Sequence, residues 1–526
     1  MIEVSAAGGA AGAGCDDLGV VGPPEVVFRA LQAFWRDIEE TCCLKLERSK
    51  TEVYTATGVL PPETPAGLAR AGTVVDGVFL PGFIMYGIPI GDSRFVKHKL
   101  SLKLEEVARE VEQVLTVLQG EGQAIWSVIR SSTIMKLDYH LALCYPSDMA
   151  EAAAEMDQLL HNMVEAASGL TIPRVEQGRG VECCLQVPVT RLQGRSYQDW
   201  VLRLPVRLGG MGVRSMAEVS LAAYIGSVEQ ALPHFLGVDG MCQQLATVLG
   251  DMSSPATRWR DLIASGCRTG TELQQAWSTL QEEALQSSQY LGRDLGGPLQ
   301  AGVEAAGDGR EDGSTRRMIT TWLEETRSAV MSKALEEHPD QSARPVWANP
   351  QLDKLSQGWL LAMPGPRGFS HSEFGETVAR LLCLPSPCCQ PKVGAPLGER
   401  GLVVDTFGDN LMSVKNIPGD SYRHRHDKVK TTINSLCLRS GIRAECEVFG
   451  AFRDLIPAQA LDQQQDGLQR GRGRQGLLPD FRVELPTALG QPSYQLAELK
   501  VIGAAGQDWY PRLNFDLWFK RPTLCH

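Results

Sequence analysis

Apolar and polar positions change rhythm several times along the chain, and each change marks an element. Behind Pro24, the residues Val26, Val27, Leu31, Phe34, Trp35 and Ile38 recur at helical spacing and predict a helix. Leu100, Leu104, Val107, Val111, Val114 and Leu118 form a second apolar stripe, with lysines and glutamates on the opposite face. Residues 124–144 read as another helix, and Ser147 as the cap of the one after it. Ser215-Met-Ala-Glu218 reads as a capping box that opens a helix through Tyr224 and Val228 toward Phe235. More helix is expected over 258–265, 271–291 and 315–337, with a Gly-, Asp- and Glu-rich loop or linker at 292–314. Elsewhere the spacing shortens. Residues 78–91 predict a short hairpin, 43–54 a strand, a turn and a strand, and 442–450 a further strand. Residues 476–485 and 494–502 predict two short strands joined by a turn between Pro486 and Pro492.

The totals narrow the class. A chain of 526 residues holds two to four domains, and 43% hydrophobic with 21% charged residues is the balance of a folded protein. A net charge of -11 argues against a general coat for nucleic acid but leaves room for local basic clefts. The 14 cysteines are scattered, with adjacent pairs at Cys42-Cys43, Cys183-Cys184 and Cys388-Cys389. They assemble neither a disulfide framework nor two Cys-x-x-Cys motifs, so a reducing compartment is expected. No apolar run reaches transmembrane length, and the start lacks the basic region of a signal peptide. An intracellular protein with no membrane partner is the expectation.

The most readable chemistry lies near the C-terminal end. Asp480 opens the first of the two late strands; Glu498 and Lys500 lie two apart on the second and so project from one face. Two carboxylates and an ammonium at a hairpin mouth are the parts of metal-assisted phosphodiester hydrolysis. The carboxylates hold Mg²⁺, the metal polarises the phosphate, and the lysine orients water or steadies developing charge. Arg470, Arg472 and Arg474 stand just upstream and suit a phosphate backbone. This Pro-Asp then Glu-x-Lys pattern resembles the core of restriction-like endonucleases. Glu445 or Glu447, on one face of the preceding strand, is a candidate for a further carboxylate.

A second resemblance begins at the other end. Residues 1–22 are glycine-rich and read either as a flexible terminus or as a strand-turn-strand with Asp16 and Asp17 at its tip. Cys15-Asp16-Asp17, the helix after it, Leu44-Lys-Leu-Glu-Arg-Ser-Lys50 and Tyr86-Gly-Ile-Pro-Ile-Gly91 together resemble the second half of a reverse-transcriptase palm from a non-LTR retrotransposon. The resemblance implies that Asp16 and Asp17 hold a polymerase Mg²⁺, that Lys50 donates a proton to pyrophosphate, and that 86–91 is the primer-grip hairpin. Leu204-Pro-Val-Arg-Leu-Gly-Gly-Met-Gly-Val-Arg-Ser215 resembles a thumb segment of these elements, which makes the helices of 96–236 a thumb that grips duplex. Within it, Arg130 and Lys136 read as basic residues facing nucleic acid or solvent. Such polymerases carry another metal-binding aspartate and the fingers on earlier segments, so a polymerase remnant is expected here, without DNA synthesis by this chain alone.

In the same family a zinc knuckle precedes the nuclease. This sequence has Asn410 and Val414 where a His and a Cys would stand, and Cys388, Cys389, His424 and His426 suit a tetrahedral site poorly, so a structural zinc is not expected. Arg423-His-Arg-His-Asp427 opens a helix to Leu438. Arg425-His426 matches the family's Arg-His dipeptide, which implies a role for Arg425 and His426 at the scissile phosphate and for Arg423 at flanking DNA. The tail after Tyr510 lacks the helix that usually backs such a core.

These readings combine into an α+β, multidomain chain: a partial palm over 1–92 with a small sheet, a helical thumb bundle over 93–240, a helical connector over 241–372, and over 373–526 a C-terminal α/β restriction-endonuclease-like core. The expected function is that of a retrotransposon-derived, Mg²⁺-dependent endonuclease that nicks target DNA, joined to an incomplete reverse transcriptase. Its partners would be a DNA target and an RNA template/DNA duplex, and its location nuclear. The alternative is a non-catalytic, nucleic-acid-binding remnant of a retroelement.

Overall fold

The computed structural model describes residues 10–14, 17–43, 47–173, 187–236, 262–263, 268–297, 299–300, 315–337, 358–361, 368–397, 401–408, 410–411, 422–439, 442–446, 481–485 and 493–497. The chain is a mixture of many helices and several small sheets, and it divides into two compact units, residues 1–384 and 385–526. Among the described residues no helix is long and apolar enough to cross a membrane.

The first unit starts with two short antiparallel strands, β1 (Ala10–Gly14) and β2 (Asp17–Val21), paired from Ala10↔Val21 to Gly14↔Asp17. Helix α1 (Pro24–Thr41) follows, with Pro24 at its first turn where the missing N–H costs nothing. Of the expected strand-turn-strand over 43–54, residues 44–46 lie outside the described residues. Residues 48–50 form a 3₁₀ turn, and the strand after it, β3 (Glu52–Val53), is short and pairs in parallel with β4 (Ala69–Arg70). β5 (Gly72–Val75), β6 (Val78–Met85) and β7 (Ile88–Gly91) make an antiparallel meander. Its tight turns need left-handed backbone, which Asp76-Gly77 and Tyr86-Gly87 supply with φ of +50 and +78°, and +50 and +80°. Midway along β6, a Cβ on Gly82 would stand 2.2 Å from the Phe95 ring, so the strand lies directly against the next helix.

That helix, α2 (Ser93–Val117), begins at Asp92, whose carboxylate accepts from the Arg94 N–H at 2.9 Å. It buries Leu100, Leu104, Val107 and Val111, the stripe seen in the sequence. The single helix expected over 124–144 is broken. α3 (Gly122–Ser131), a 3₁₀ turn at Thr133–Met135 and α4 (Asp138–Leu143) take its place. Both basic residues on this stretch are already engaged. Arg130 Nη1 donates to the Leu360 carbonyl at 2.6 Å and Lys136 pairs with Glu110 at 2.6 Å.

α5 (Pro146–Ser168) runs through the centre of the main core, with Met149, Met156, Leu160 and Val164 fully buried, and ends at Gly169 in left-handed conformation. α6 (Tyr197–Arg203), α7 (Met216–Leu236), α8 (Arg268–Leu291), α9 (Thr315–Glu336), the short α10 (Gly358–Leu361) and α11 (His371–Leu381) complete the unit. The main core gathers Leu80 and Ile88 of the meander with α2, α3, α5, α6 and α11. A second core joins α7, α8 and α9 through Ile225, Leu273, Leu280 and Ile319.

Two expected caps are made differently. Ser147 is no N-cap; it lies inside α5, and its N–H and hydroxyl both donate to Glu272 of α8. Nor do Ser215 and Glu218 cap one another. The start of α7 is closed by Asp157 of α5, which accepts from the Ser215 hydroxyl at 2.6 Å and the Met216 N–H at 2.6 Å. Glu218 turns to Arg195 and to Arg327, the latter at 2.5 Å. Asp157 out-competes the local partner here because it satisfies the Arg203 guanidinium, 3.2 Å away, at the same time. The capping box that does form is Ser370 with Glu373, at the start of α11.

In the second unit, β8 (Pro396–Leu397) and β9 (Leu402–Val403) form a small antiparallel pair over an apolar centre of Cys389, Leu397 and Val404. α12 (Tyr422–Arg439) leads into β10 (Ala444–Cys446), and β10 pairs with β11 (Phe481–Leu485), which pairs with β12 (Ser493–Ala497), all antiparallel.

Candidate nuclease site

The second unit's three-stranded sheet is the frame of the candidate site. Helix α12 turns at its end, where the Ile442 N–H donates to the Cys437 carbonyl at 2.9 Å, and it packs on β10. The register then runs Ala444↔Val483 to Cys446↔Phe481 on one side of the central strand, and Phe481↔Ala497 to Leu485↔Ser493 on the other. A helix followed by an antiparallel meander is therefore present where the two late strands were expected. The hairpin's open end is the pair Phe481↔Ala497. Asp480 adjoins Phe481 in sequence and Glu498 adjoins Ala497; both, with Lys500 and Arg470, Arg472 and Arg474, lie outside the described residues.

Arg423, Arg425 and His426 fall on the first turns of α12, as expected for backbone positions. Farther along the same helix is a group that the sequence did not single out. Lys430 is 6% exposed, and its ammonium lies 3.3 Å from Asp427. Burial of an ammonium costs several kcal/mol unless a partner offsets it, so this pair fixes which side of α12 faces inward. In a helix already rich in Arg, His and Lys, one more lysine carried no signal. Glu445 on β10 stands opposite Arg482 and is exposed; Glu447 lies outside the described residues.

Upstream, the Asp405 carboxylate accepts from the Phe407 and Asn410 N–H groups at 2.9 and 2.5 Å, and the Asn410 side chain donates to the Val403 carbonyl at 3.0 Å. Asn410 is thus used to close the loop after β9. Cys388 is exposed while Cys389 is buried, so the two adjacent thiols point to different surroundings. Among the described residues no three His, Cys, Asp or Glu side chains are grouped so as to hold a metal ion.

In the first unit, Asp17 is the first residue of β2 and pairs with Gly14, while Asp16 lies outside the described residues. Lys50 closes the 3₁₀ turn after α1 and is exposed. The hairpin expected over 78–91 is formed by β6 and β7, its turn at Tyr86-Gly87. The stretch 204–215 folds back on α6: Met211, Gly212 and Val213 donate to the carbonyls of Val201, Leu204 and Leu202 at 2.8, 2.8 and 3.0 Å. Gly210 has no room for a side chain, since a Cβ there would meet the Leu204 carbonyl oxygen at 2.0 Å.

Set against protein-family models, curated proteins and solved structures, the chain matches none of them.

Proposed function

We propose that the chain is a retrotransposon-derived, Mg²⁺-dependent DNA endonuclease whose reacting groups are Asp480, Glu498 and Lys500. The observation that carries this reading is the register of the last hairpin. With Phe481 paired to Ala497, the next residue before one strand is Asp480 and the next residue after the other is Glu498. An acid on each side of one strand end is the donor set that a hard divalent cation takes. Asp480 and Glu498 would hold Mg²⁺, which when bound supplies charge neutralisation at the phosphate and a more acidic water.

The remaining work falls to the chain's own side chains. Lys500, two residues beyond Glu498, orients the attacking water through its ammonium and balances charge on the scissile phosphate. Arg425 or His426, at the start of α12, donates hydrogen bonds to a phosphate oxygen, and Arg423, Arg470, Arg472 and Arg474 draw in the flanking backbone. The palm-like region, with Asp16, Asp17 and Lys50, and the thumb-like helices are read as the remnant of a reverse transcriptase that holds an RNA template/DNA duplex.

The test is plasmid nicking. The purified chain is expected to convert supercoiled DNA to the open-circular form with Mg²⁺ and to lose this in Asp480→Ala and in Lys500→Ala. Cleavage that survives both substitutions overturns the assignment. Retention of DNA that weakens steeply with salt, without metal-dependent cleavage, would instead mark a nucleic-acid-binding remnant.

A further inference from the structure

A recess in the first unit is walled by four arginines, Arg195, Arg203, Arg214 and Arg327, and by only two carboxylates, Glu218 and Glu324. Each carboxylate is already taken. Glu218 lies between Arg195 and Arg327, and Glu324 is held by Arg207 at 2.8 Å. The other acids that balance the cluster do not line the recess. Asp157 and Asp199 hold Arg203 at 3.2 and 3.3 Å, and Glu283 holds Arg327 at 2.7 Å. Among the described residues, four guanidiniums and two carboxylates thus line the recess, in a protein whose net charge is -11.

Donors are also in excess. Arg203 spends its Nε and Nη1 on the two aspartates, which leaves Nη2. Arg214 is exposed at the rim and has no ion-pair or hydrogen-bond partner among the described residues. Trp200, 1% exposed, also lines it, and its indole N–H has no acceptor among the described residues. Apolar side chains of Leu204, Val219 and Leu323 complete the walls and lower the local dielectric, which strengthens any charge-assisted hydrogen bond made there.

We propose that this recess binds a phosphate group, with Arg214 as the entry contact and the free edge of Arg203 as the inner one. A guanidinium presents parallel N–H groups that match two phosphate oxygens, and a recess whose own carboxylates are occupied offers such an anion no competing repulsion from an unpaired acid. Burial pushes the Arg195 guanidinium down to about 10, against the opposing charges of Asp199 and Glu283. The proposal concerns the first unit and does not depend on the nuclease reading.

Calorimetric titration of the full chain at constant ionic strength tests it, with inorganic phosphate in one arm and adenosine monophosphate in the other. Saturable binding is expected, weakened by about tenfold or more in Arg214→Ala, the loss of one charge-assisted contact. It should be unchanged in Arg293→Ala, an exposed arginine elsewhere on the unit. Tighter binding of the nucleotide would assign the phosphate to a nucleotide, and equal binding to the free ion; either supports the site. Thr320→Glu, which sets a carboxylate on the recess wall, is expected to abolish binding. Should that variant melt early, Arg214→Ala decides alone. Heat signals equal to those of chloride, or an Arg214→Ala titration indistinguishable from the parent chain, would overturn the proposal.

Discussion

Arg327 lays its Nε and Nη2 on the two carboxylate oxygens of Glu283 at 2.7 and 3.0 Å, with both side chains withdrawn from solvent. Burial alone would raise the pKa of Glu283. The charge and hydrogen bonds of Arg327, with the charges of Arg191 and Arg195, outweigh burial and hold it below the ordinary 4.5. A carboxyl whose folded pKa is depressed contributes stability above its unfolded value and loses it as pH falls through the folded one. Urea unfolding between pH 7 and 3 is therefore expected to show a drop below about pH 4.5 that is shallower in Glu283→Gln. At pH 7 the same variant should be weaker by roughly 1.5–3 kcal/mol, the cost of losing charge-assisted hydrogen bonds while Arg327 keeps Glu218. Identical pH slopes in the two proteins would refute this.

Asp157 ties α5 to α6 and to the start of α7, taking the Ser215 hydroxyl, the Met216 N–H and the Arg203 guanidinium. Asp157→Ala should therefore cost about 3–5 kcal/mol, as for a broken buried ion pair, whereas Ser215→Ala removes one hydrogen bond and should cost about 1 kcal/mol. Equal losses in denaturant unfolding would mean that the carboxylate does no more than a local cap.

The Cys144 thiol is 4% exposed, and its pKa is pushed up to about 12, first by burial and then by Asp148. At pH 8 the thiolate fraction would be on the order of 10⁻⁴, too small for ready alkylation. Cys42 and Cys43 are exposed. Mass spectrometry after brief iodoacetamide treatment should find these two modified and Cys144 intact until denaturant is added. Early labelling at Cys144 would count against the packing of α4 on α5.

Should nicking be observed, its dependence on Mg²⁺ follows from the charge count of the ligands. Glu498→Gln removes one formal charge from the proposed pair and is expected to raise the Mg²⁺ concentration for half-maximal nicking by about tenfold or more. EDTA should stop the parent reaction and excess Mg²⁺ restore it. An unchanged Mg²⁺ requirement would remove Glu498 from the metal.

The α2 helix was legible because Leu100, Leu104, Val107 and Val111 repeat at one helical spacing over three turns, and burial follows that stripe directly. The hairpin at 86–91 was legible because Gly87 tolerates the left-handed backbone that the turn needs. The caps were not, because Ser147 and Ser215 are claimed by Glu272 and Asp157, which are 125 and 58 residues away. Local sequence gives no measure of such competition. The break in 124–144 was hidden for a similar reason: its apolar residues keep a helical rhythm on both sides of the turn at 133–135. At the candidate site, residue types and spacing suggested the chemistry. The pairing register of the strands, and the burial of Lys430 beside the half-exposed Asp427, could only come from the fold.

The Leu360 carbonyl receives both the Trp126 indole N–H and the Arg130 guanidinium, which lie 234 and 230 residues earlier in the chain. During synthesis these two donors on α3 leave the ribosome long before their acceptor is made. At ordinary elongation rates the interval is about 10 to 50 s. For that time the groove that Leu360 fills stands open to water, with its apolar wall uncovered. The bundle can therefore reach its final form only after residue 360 has been translated, and a nascent chain stalled short of it would expose a sticky groove to chaperones.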